Sequence, residues 1–476
     1  MVAYREEDER MSMFRKSLKS NFLYKVLLII TMLMMTIPYL NAYLSPFIRI
    51  FLLWGGGYIL YDFVTGRRLF KGRSLLLLLG FCIAYALTIF WNREWYFVDN
   101  VKALAYMVVV FILFYGHDAN TPEAEVKREI RILSHVFVAG TFLLSLVCFL
   151  TFLLSIKHVY AVRDTIGYLG MWDNRLWGLY NANTGGALNV ISIFLTGSFL
   201  LMGPGKKRAV RVCYIINLVL QFCCLVLTYS RTSCYSMIIA FAVGIYFLLP
   251  YLRPALVSMK RGKAALVRLA AAGVVLVSIF LLNDIVRTGL SYLPSLTQNL
   301  IHIGESDYEF ELTQEMLDRI EGIEQREGGL LTGRPILWKA GWKTFQSSPV
   351  LGVTRLGLYD QTVGNLSDPD WGPDLKAGGV HNGYLTILIS SGLGGSVLLL
   401  AFWGMTGRKL LQAVRRTRGK NTVLLLLGGI FLLMFFIMEA LEARILYQMN
   451  VFMVIFWMYY GYIMYFAERE CDAKMD

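Results

Sequence analysis

The sequence predicts an all-α integral membrane protein with about twelve transmembrane helices. Three observations predict it. Of the 476 residues, 56% are hydrophobic and 17% charged, against roughly 45–50% and a quarter in soluble domains. The apolar residues fall in blocks of about 20, the length that crosses a hydrocarbon core of roughly 30 Å. Lys and Arg gather in alternate short gaps between the blocks, as the positive-inside rule requires of a chain that crosses repeatedly.

In chain order the blocks cover 23–42, 46–65, 74–91, 99–116, 131–156, 184–202, 210–229, 233–251, 264–282, 381–403, 422–440 and 447–466. The segment before the first block carries Arg15, Lys16 and Lys19. The second gap carries Arg67, Arg68, Lys71 and Arg73, and the fourth Lys127, Arg128 and Arg131. The sixth carries Lys206, Lys207, Arg208 and Arg211, and the eighth Arg253, Lys260, Arg261, Lys263 and Arg268. The tenth carries Arg408, Lys409, Arg415, Arg416, Arg418 and Lys420, whereas the short odd gaps have few cations. This alternation sets an even number of spans, with the N-terminus (1–22) and the tail (467–476) both cytoplasmic. Helices 1–9 then occupy 23–283, a large extracytoplasmic loop 284–380, and helices 10–12 residues 381–466. The first block reads as a retained span, because no small-residue cleavage site follows it.

The formal charge of +13 raises nucleic acid as a partner. The placement of the cations in topogenic gaps argues for the membrane instead and for no nucleic acid. The seven cysteines show no CxxC spacing; six lie in or beside apolar blocks and read as small packing residues.

The large loop opens with an acidic run from Glu305 to Glu327, and its helical spacing over 308–327 sets Phe310, Leu312, Met316 and Ile320 in a stripe. That pattern predicts a solvated amphipathic helix. A loop of this length is usually functional rather than a connector. A second outer segment, 157–183, also exceeds a simple turn. No repeat relates the two halves of the chain, which weighs against inverted-repeat transporter plans.

Three polar segments fall on the same predicted side of the membrane. Tyr229-Ser230-Arg231-Thr232-Ser233 fills the few residues between the seventh and eighth spans. Arg231 there is either a snorkelling interfacial cation or an anion contact, since guanidinium offers phosphate oxygens a fork that never loses its charge. Late in the large loop, Thr332-Gly333-Arg334-Pro335 precedes Leu337-Trp338 and Gly341-Trp342. Thr332 or Gly333 can cap a helix that Pro335 suits, and Arg334 would stand at its N-terminus, where amides and dipole favour an anion. The alternative is an ordinary amphipathic helix with a solvated arginine. The third is Gly378-Gly379-Val380-His381-Asn382-Gly383-Tyr384-Leu385 at the start of the tenth span. Imidazole titrates near neutrality, so His381 can take a proton from an attacking hydroxyl. No His, Cys, Asp or Glu at metal-ligand spacing accompanies it. The later Ser390-Ser391-Gly392-Leu393-Gly394-Gly395-Ser396 reads as a packing surface.

In these segments the chain resembles the O-antigen ligase and polymerase family. The matching elements are Ser230-Arg231-Thr232, Gly333-Arg334 with Leu337-Trp338 and Trp342, and His381-Asn382-Gly383-Tyr384-Leu385. Ser348-Pro349-Val350-Leu351-Gly352-Val353 and Arg175-Leu176-Trp177-Gly178-Leu179-Tyr180-Asn181-Ala182-Asn183 also fit, with Ala182 where the family usually has Pro. The resemblance covers residues 160–440.

It implies a GT-C-like membrane fold in the bacterial inner membrane and a metal-independent, inverting glycosyl transfer without cofactor. The donor would be a polyprenyl-diphosphate oligosaccharide, brought outward by a flippase, and the acceptor a glycan or lipid-linked hydroxyl. By the same resemblance Arg231 and Arg334 would hold the diphosphate and His381 act as general base. Arg175, Arg355, Asn382 and Tyr384 would be further substrate contacts, and a chain-length regulator a further partner. Polymerisation of surface-polysaccharide repeat units is the leading expectation, with transfer to lipid A-core, the ligase reaction, as the alternative. A transporter or flippase of polysaccharide lipids is the alternative of another class. It would place ionisable groups near the bilayer midplane, where the predicted spans are nearly free of charge; Glu439 and Glu442 are the main exceptions.

Overall fold

Runs of Leu, Ile, Val and Phe become helices here because hydrocarbon offers backbone N–H and C=O groups no partner, so each segment must satisfy its own. The computed structural model describes residues 21–66, 68–70, 72–162, 165–172, 175–203, 207–294, 333–417 and 420–472. The acidic run, the helix expected over 308–327 and Thr332, one of the two expected caps, lie outside the described residues.

Helices α1 (Asn21–Met34), α2 (Pro38–Leu44), α3 (Ile48–Thr65), α4 (Arg73–Trp91), α5 (Phe97–Val110) and α6 (Glu123–Leu153) come first. A small sheet of β1 (Lys157–Val162), β2 (Thr165–Trp172) and β3 (Arg175–Gly178) follows. Then come α7 (Ala182–Met202), α8 (Arg208–Thr228), α9 (Arg231–Leu252) and α10 (Arg261–Ser291). The loop contributes α11 (Arg334–Ser347), α12 (Leu358–Val363) and α13 (Gly372–Gly378), and the chain continues with α14 (Gly383–Arg416), α15 (Lys420–Glu439) and α16 (Val451–Asp472).

Among the described residues, eleven helical stretches are long and apolar enough to cross a membrane. The chain is thus the all-α multi-pass protein the sequence predicts. The first two predicted spans are redrawn. α1 has 14 described residues, about 21 Å, and α2 runs through a 3₁₀ turn into α3 as one stretch, Pro38–Thr65. Proline sets this boundary: the residue before it disfavours helix, and Ile37 is extended at φ −83°, ψ 117°. Thr36 Oγ1 donates to the Leu33 carbonyl and finishes α1. Further along, α10 extends to Ser291, into the segment assigned to the loop. The segment 157–183 holds the three antiparallel strands, order β1-β2-β3.

α16 is apolar all round and is the centre of the bundle, with Val451–Ala467 buried on every side. Its hydroxyls find partners: Tyr459 meets Ser134, Tyr460 meets Thr406 at 2.7 Å, and Tyr462 donates to Glu129 at 2.5 Å. Lys25 completes that last cluster, 2.9 Å from Glu129. A second polar network ties α6, α7 and α8. Ser145 donates to Asn189 and Gln221, Thr141 to Ser192, and Asn217 to Thr196. Such bonds hold helices together where no hydrophobic force can.

α14 is broken. Gly392 sits at φ 59°, ψ −168° inside it, and the loop segment 349–354 docks against the break. Val353 N donates to Ile389 O at 2.9 Å, Thr354 N to Ser390 O at 3.2 Å, and Leu393 N to Pro349 O at 2.8 Å. Irregular backbone at membrane depth is tolerated only when buried in protein, and here each side supplies the other's partners. The glycine-rich stretch therefore does more than allow close packing. A Cβ at Gly392 would meet Val350 O at 2.2 Å. We expect Gly392→Ala to destabilise the detergent-solubilised protein by about 2 kcal/mol or more. Gly404→Ala, in open space on the same helix, should leave the melting temperature unchanged or slightly raised.

Candidate functional site

Each polar segment singled out in the sequence is placed by a helix terminus. α8 ends at Tyr229, φ 50°, and Ser230 is extended, so Arg231 is the first residue of α9. Ser230 and Ser233 lie against Gly186 of α7, where a Cβ would meet Ser230 Cβ at 2.6 Å. Gly333, φ 70°, caps α11 at Arg334; a side chain there would strike the Trp371 ring at 1.9 Å. His381 has φ 48°, a left-handed conformation that a non-glycine residue adopts at a cost and that often marks a functional position. Asn382 follows as N-cap of α14, its Oδ1 accepting from Leu385 N at 2.9 Å.

These termini meet at one end of the bundle, where α7, α9, α11 and α14 start and α8, α10 and α15 end. There they enclose a cavity of about 980 Å³, the upper part of the range for small-ligand sites. Arg175, Arg231, Arg334, Arg355 and His381 all line it, so the structure brings together the residues expected to bind diphosphate and move a proton. Arg287 and Arg444 line it as well, against two carboxylates, Asp374 and Glu442. Six guanidiniums around one cavity make a strongly positive field suited to a polyanion.

Glu442 is the hub. Oε1 lies 3.2 Å from Arg334 Nη2 and accepts from Asn183 Nδ2 at 3.2 Å. Oε2 lies 3.4 Å from His381 Nδ1 and 4.0 Å from Arg444 Nη2. Burial alone would raise this carboxyl. The His381 hydrogen bond and the charges of Arg444, His381 and Arg334 outweigh burial and hold it at about 2. Burial, then Arg444 and Arg231, lower the Arg334 guanidinium against the pull of Glu442. Arg175 joins the same network through Asn183: Nε donates to Thr228 O at 3.0 Å and Nη2 to Asn183 Oδ1 at 2.7 Å. Arg355 follows the segment docked on α14, its amide donating to Tyr85 Oη at 3.2 Å. Burial is the main cause lowering its guanidinium.

Asn382 and Tyr384 are placed elsewhere. They line a groove with Pro335, Trp338, Trp342 and Leu388 on the far side of α11, and Tyr384 Oη donates to Phe436 O at 2.8 Å. The capping bond occupies Asn382 Oδ1. Sequence reasoning missed Glu442, Arg444, Arg287 and Asn183 as site residues. Glu442 carried a signal, a carboxylate beside a span with little loop around it, but it was weighed as a transport feature. Arg287 was hidden by ending the ninth span too early. Among the described residues, no group of three or more His, Cys, Asp or Glu is arranged to hold a metal.

The family described as O-antigen ligase matches residues 216–400. The matched stretch contains Arg231, Arg287, Arg334, Arg355 and His381, while Arg175, Asn183, Glu442 and Arg444 lie outside it. Over that stretch the chain is similar to this family, which supports an O-antigen ligase/polymerase family assignment. No curated protein matches the sequence.

The Glu442 carboxyl lies at about 2 in the fold, below the ordinary 4.5. Its contribution to stability is therefore full above the ordinary value and is lost as pH falls toward about 2. Melting temperatures measured from pH 6 to pH 3 should fall, and fall less in Glu442→Gln. Equal falls would show that this carboxylate is not held ionised.

Proposed function

We propose that the protein is a membrane glycosyltransferase that moves an oligosaccharide from a polyprenyl-diphosphate donor to an acceptor hydroxyl at the outer face of the bacterial inner membrane. The observation that carries this reading is the cavity itself, in which His381 stands among six arginines at one end of an apolar bundle. The reaction joins the acceptor oxygen to the anomeric carbon as the bond from that carbon to the diphosphate breaks. The electron pair leaves with the polyprenyl diphosphate, and attack from the opposite face inverts the anomeric centre. Arg231 and Arg334, fixed at helix starts, meet the charge that grows on the leaving group, which is where fixed donors accelerate a reaction most. His381 takes the acceptor proton. The guanidiniums do the work a divalent cation does elsewhere, so the transfer needs no metal. Arg175 and Arg355 extend the site toward the rest of the donor, and the bundle receives the lipid tail.

The site accounts for the donor half of the reaction, and polymerisation of repeat units is the reading we carry forward for the acceptor. A flippase would supply the donor and a chain-length regulator would act on the product. The test is transfer in proteoliposomes with the lipid-linked repeat unit and chelator present. Wild type should build a ladder of lipid-linked products. His381→Ala should abolish it, and Arg231→Ala and Arg334→Ala should each slow it about 100-fold or more. Product only after lipid A-core is added would make the protein a ligase. Passage of the lipid across liposomes with no transfer to either acceptor would make it a transporter and overturn the proposal.

A further inference from the structure

Glu442 divides its two oxygens. One takes Arg334 and Asn183, and the other faces His381 Nδ1 at 3.4 Å. A carboxylate serving only as an arginine counter-ion would more commonly take the fork with both oxygens. An ionised carboxylate can only accept, so the ring nitrogen facing it carries the hydrogen. In a neutral imidazole that leaves Nε2 bare, on a ring that lines the cavity. The ring is held from below as well: a Cβ at Gly378 would meet its Cε1 at 2.2 Å and Nε2 at 2.3 Å. The positive φ of His381 completes a placement with little freedom.

We propose that Glu442 is the positioning residue for His381: it fixes the ring with Nε2 available as the base, and it shares Arg334 with the donor diphosphate. This rests on the transferase reading above. When the donor binds, its phosphate oxygens compete with Glu442 for Arg334. The carboxylate then keeps His381 as its main partner. The acceptor proton moves to Nε2, and the imidazolium so formed faces an anion whose charge is no longer spent on Arg334. Donor binding thereby prepares the base, and an empty site holds a less competent one. The charged groups that face the carboxylate are His381, just ahead of α14, Arg334 from α11, and Arg444 from its own loop. Glu439 is one turn back in the chain, accepting from Arg444 N at 3.0 Å, and Arg231 faces Arg334 from α9.

The experiment is steady-state transfer with the lipid-linked repeat unit in proteoliposomes, comparing Glu442→Gln, Glu442→Asp, Gly378→Ala and His381→Ala with wild type. Glu442→Gln should lose about 100-fold in kcat with donor KM within about threefold, the range that loss of an orienting partner produces. Glu442→Asp should recover at least tenfold of that loss. Gly378→Ala, which displaces the ring without touching the carboxylate, should also lower kcat more than it raises KM. Wild-type kcat in Glu442→Gln, with His381→Ala inactive, would overturn this proposal and leave the transferase reading standing. So would a donor KM raised tenfold at unchanged kcat, which would confine Glu442 to donor binding. Full activity of His381→Ala would instead remove the base that both readings use. If Glu442→Gln does not fold, the Asp and Gly378→Ala variants decide, and wild-type kcat in both overturns the proposal.

Discussion

A bilayer gives a polar group nothing to bond with, and every irregular feature near the site follows from that. The chain leaves helical geometry inside α14 only where the segment 349–354 can fill the gap hydrogen bond for hydrogen bond. It leaves it again between α15 and α16, where Glu439 accepts from the Arg444 amide, Trp457 Nε1 donates to Ile445 O, and Tyr447 meets Ser391 at 2.6 Å. These two stretches carry Arg355, Glu442 and Arg444 into the cavity. Helix ends deliver Arg231, Arg287 and Arg334 to the same cavity, and the docked loops add groups at positions that a span, holding each residue to one face and one depth, does not reach.

The electrostatics of the site are deliberately unbalanced. Six guanidiniums share a cavity with two carboxylates, and the like charges repel through a medium that screens poorly. Glu442 relieves part of this by touching Arg334 and lying near Arg444. A bound polyanion would relieve much more, and would bind tightly because the protein has already met the cost of gathering the cations. The strained φ values at Tyr229 and His381 fall at the same place, as expected where geometry is imposed by function rather than by local preference.

Hydropathy was enough to read most of the bundle's helices from the sequence, because it is local: a block of apolar residues must become a spanning helix. Arg231, Arg334 and His381 were legible because each stands where a predicted helix begins. Their meeting in space was not, since it depends on how α9, α11 and α14 pack. Glu442 was not connected with Arg334 and His381 because they lie 108 and 61 residues away. Asn382 reads as a further substrate contact in the sequence; an Asn before Gly-Tyr-Leu is also a good N-cap, and its oxygen accepts from Leu385 N. The short strands of 157–178 and the early end of α1 turn on single Gly, Thr and Pro residues, below what block-wise hydropathy resolves.

α16 follows every other described element in the chain, yet it is the most enclosed of them. During synthesis the helices before it must therefore enter the membrane around a place not yet filled, with Tyr115, Phe402 and Phe431 awaiting their partners Trp457, Tyr460 and Tyr459. The loop bearing Glu442 and Arg444 emerges just ahead of it. A nascent chain that has reached α15 thus holds Arg231, Arg334 and His381 before Glu442 and Arg444 have been added. Assembly of the cavity is tied to the insertion of α16, so quality control that recognises an unfilled bundle core would also recognise a chain whose cavity is not yet complete.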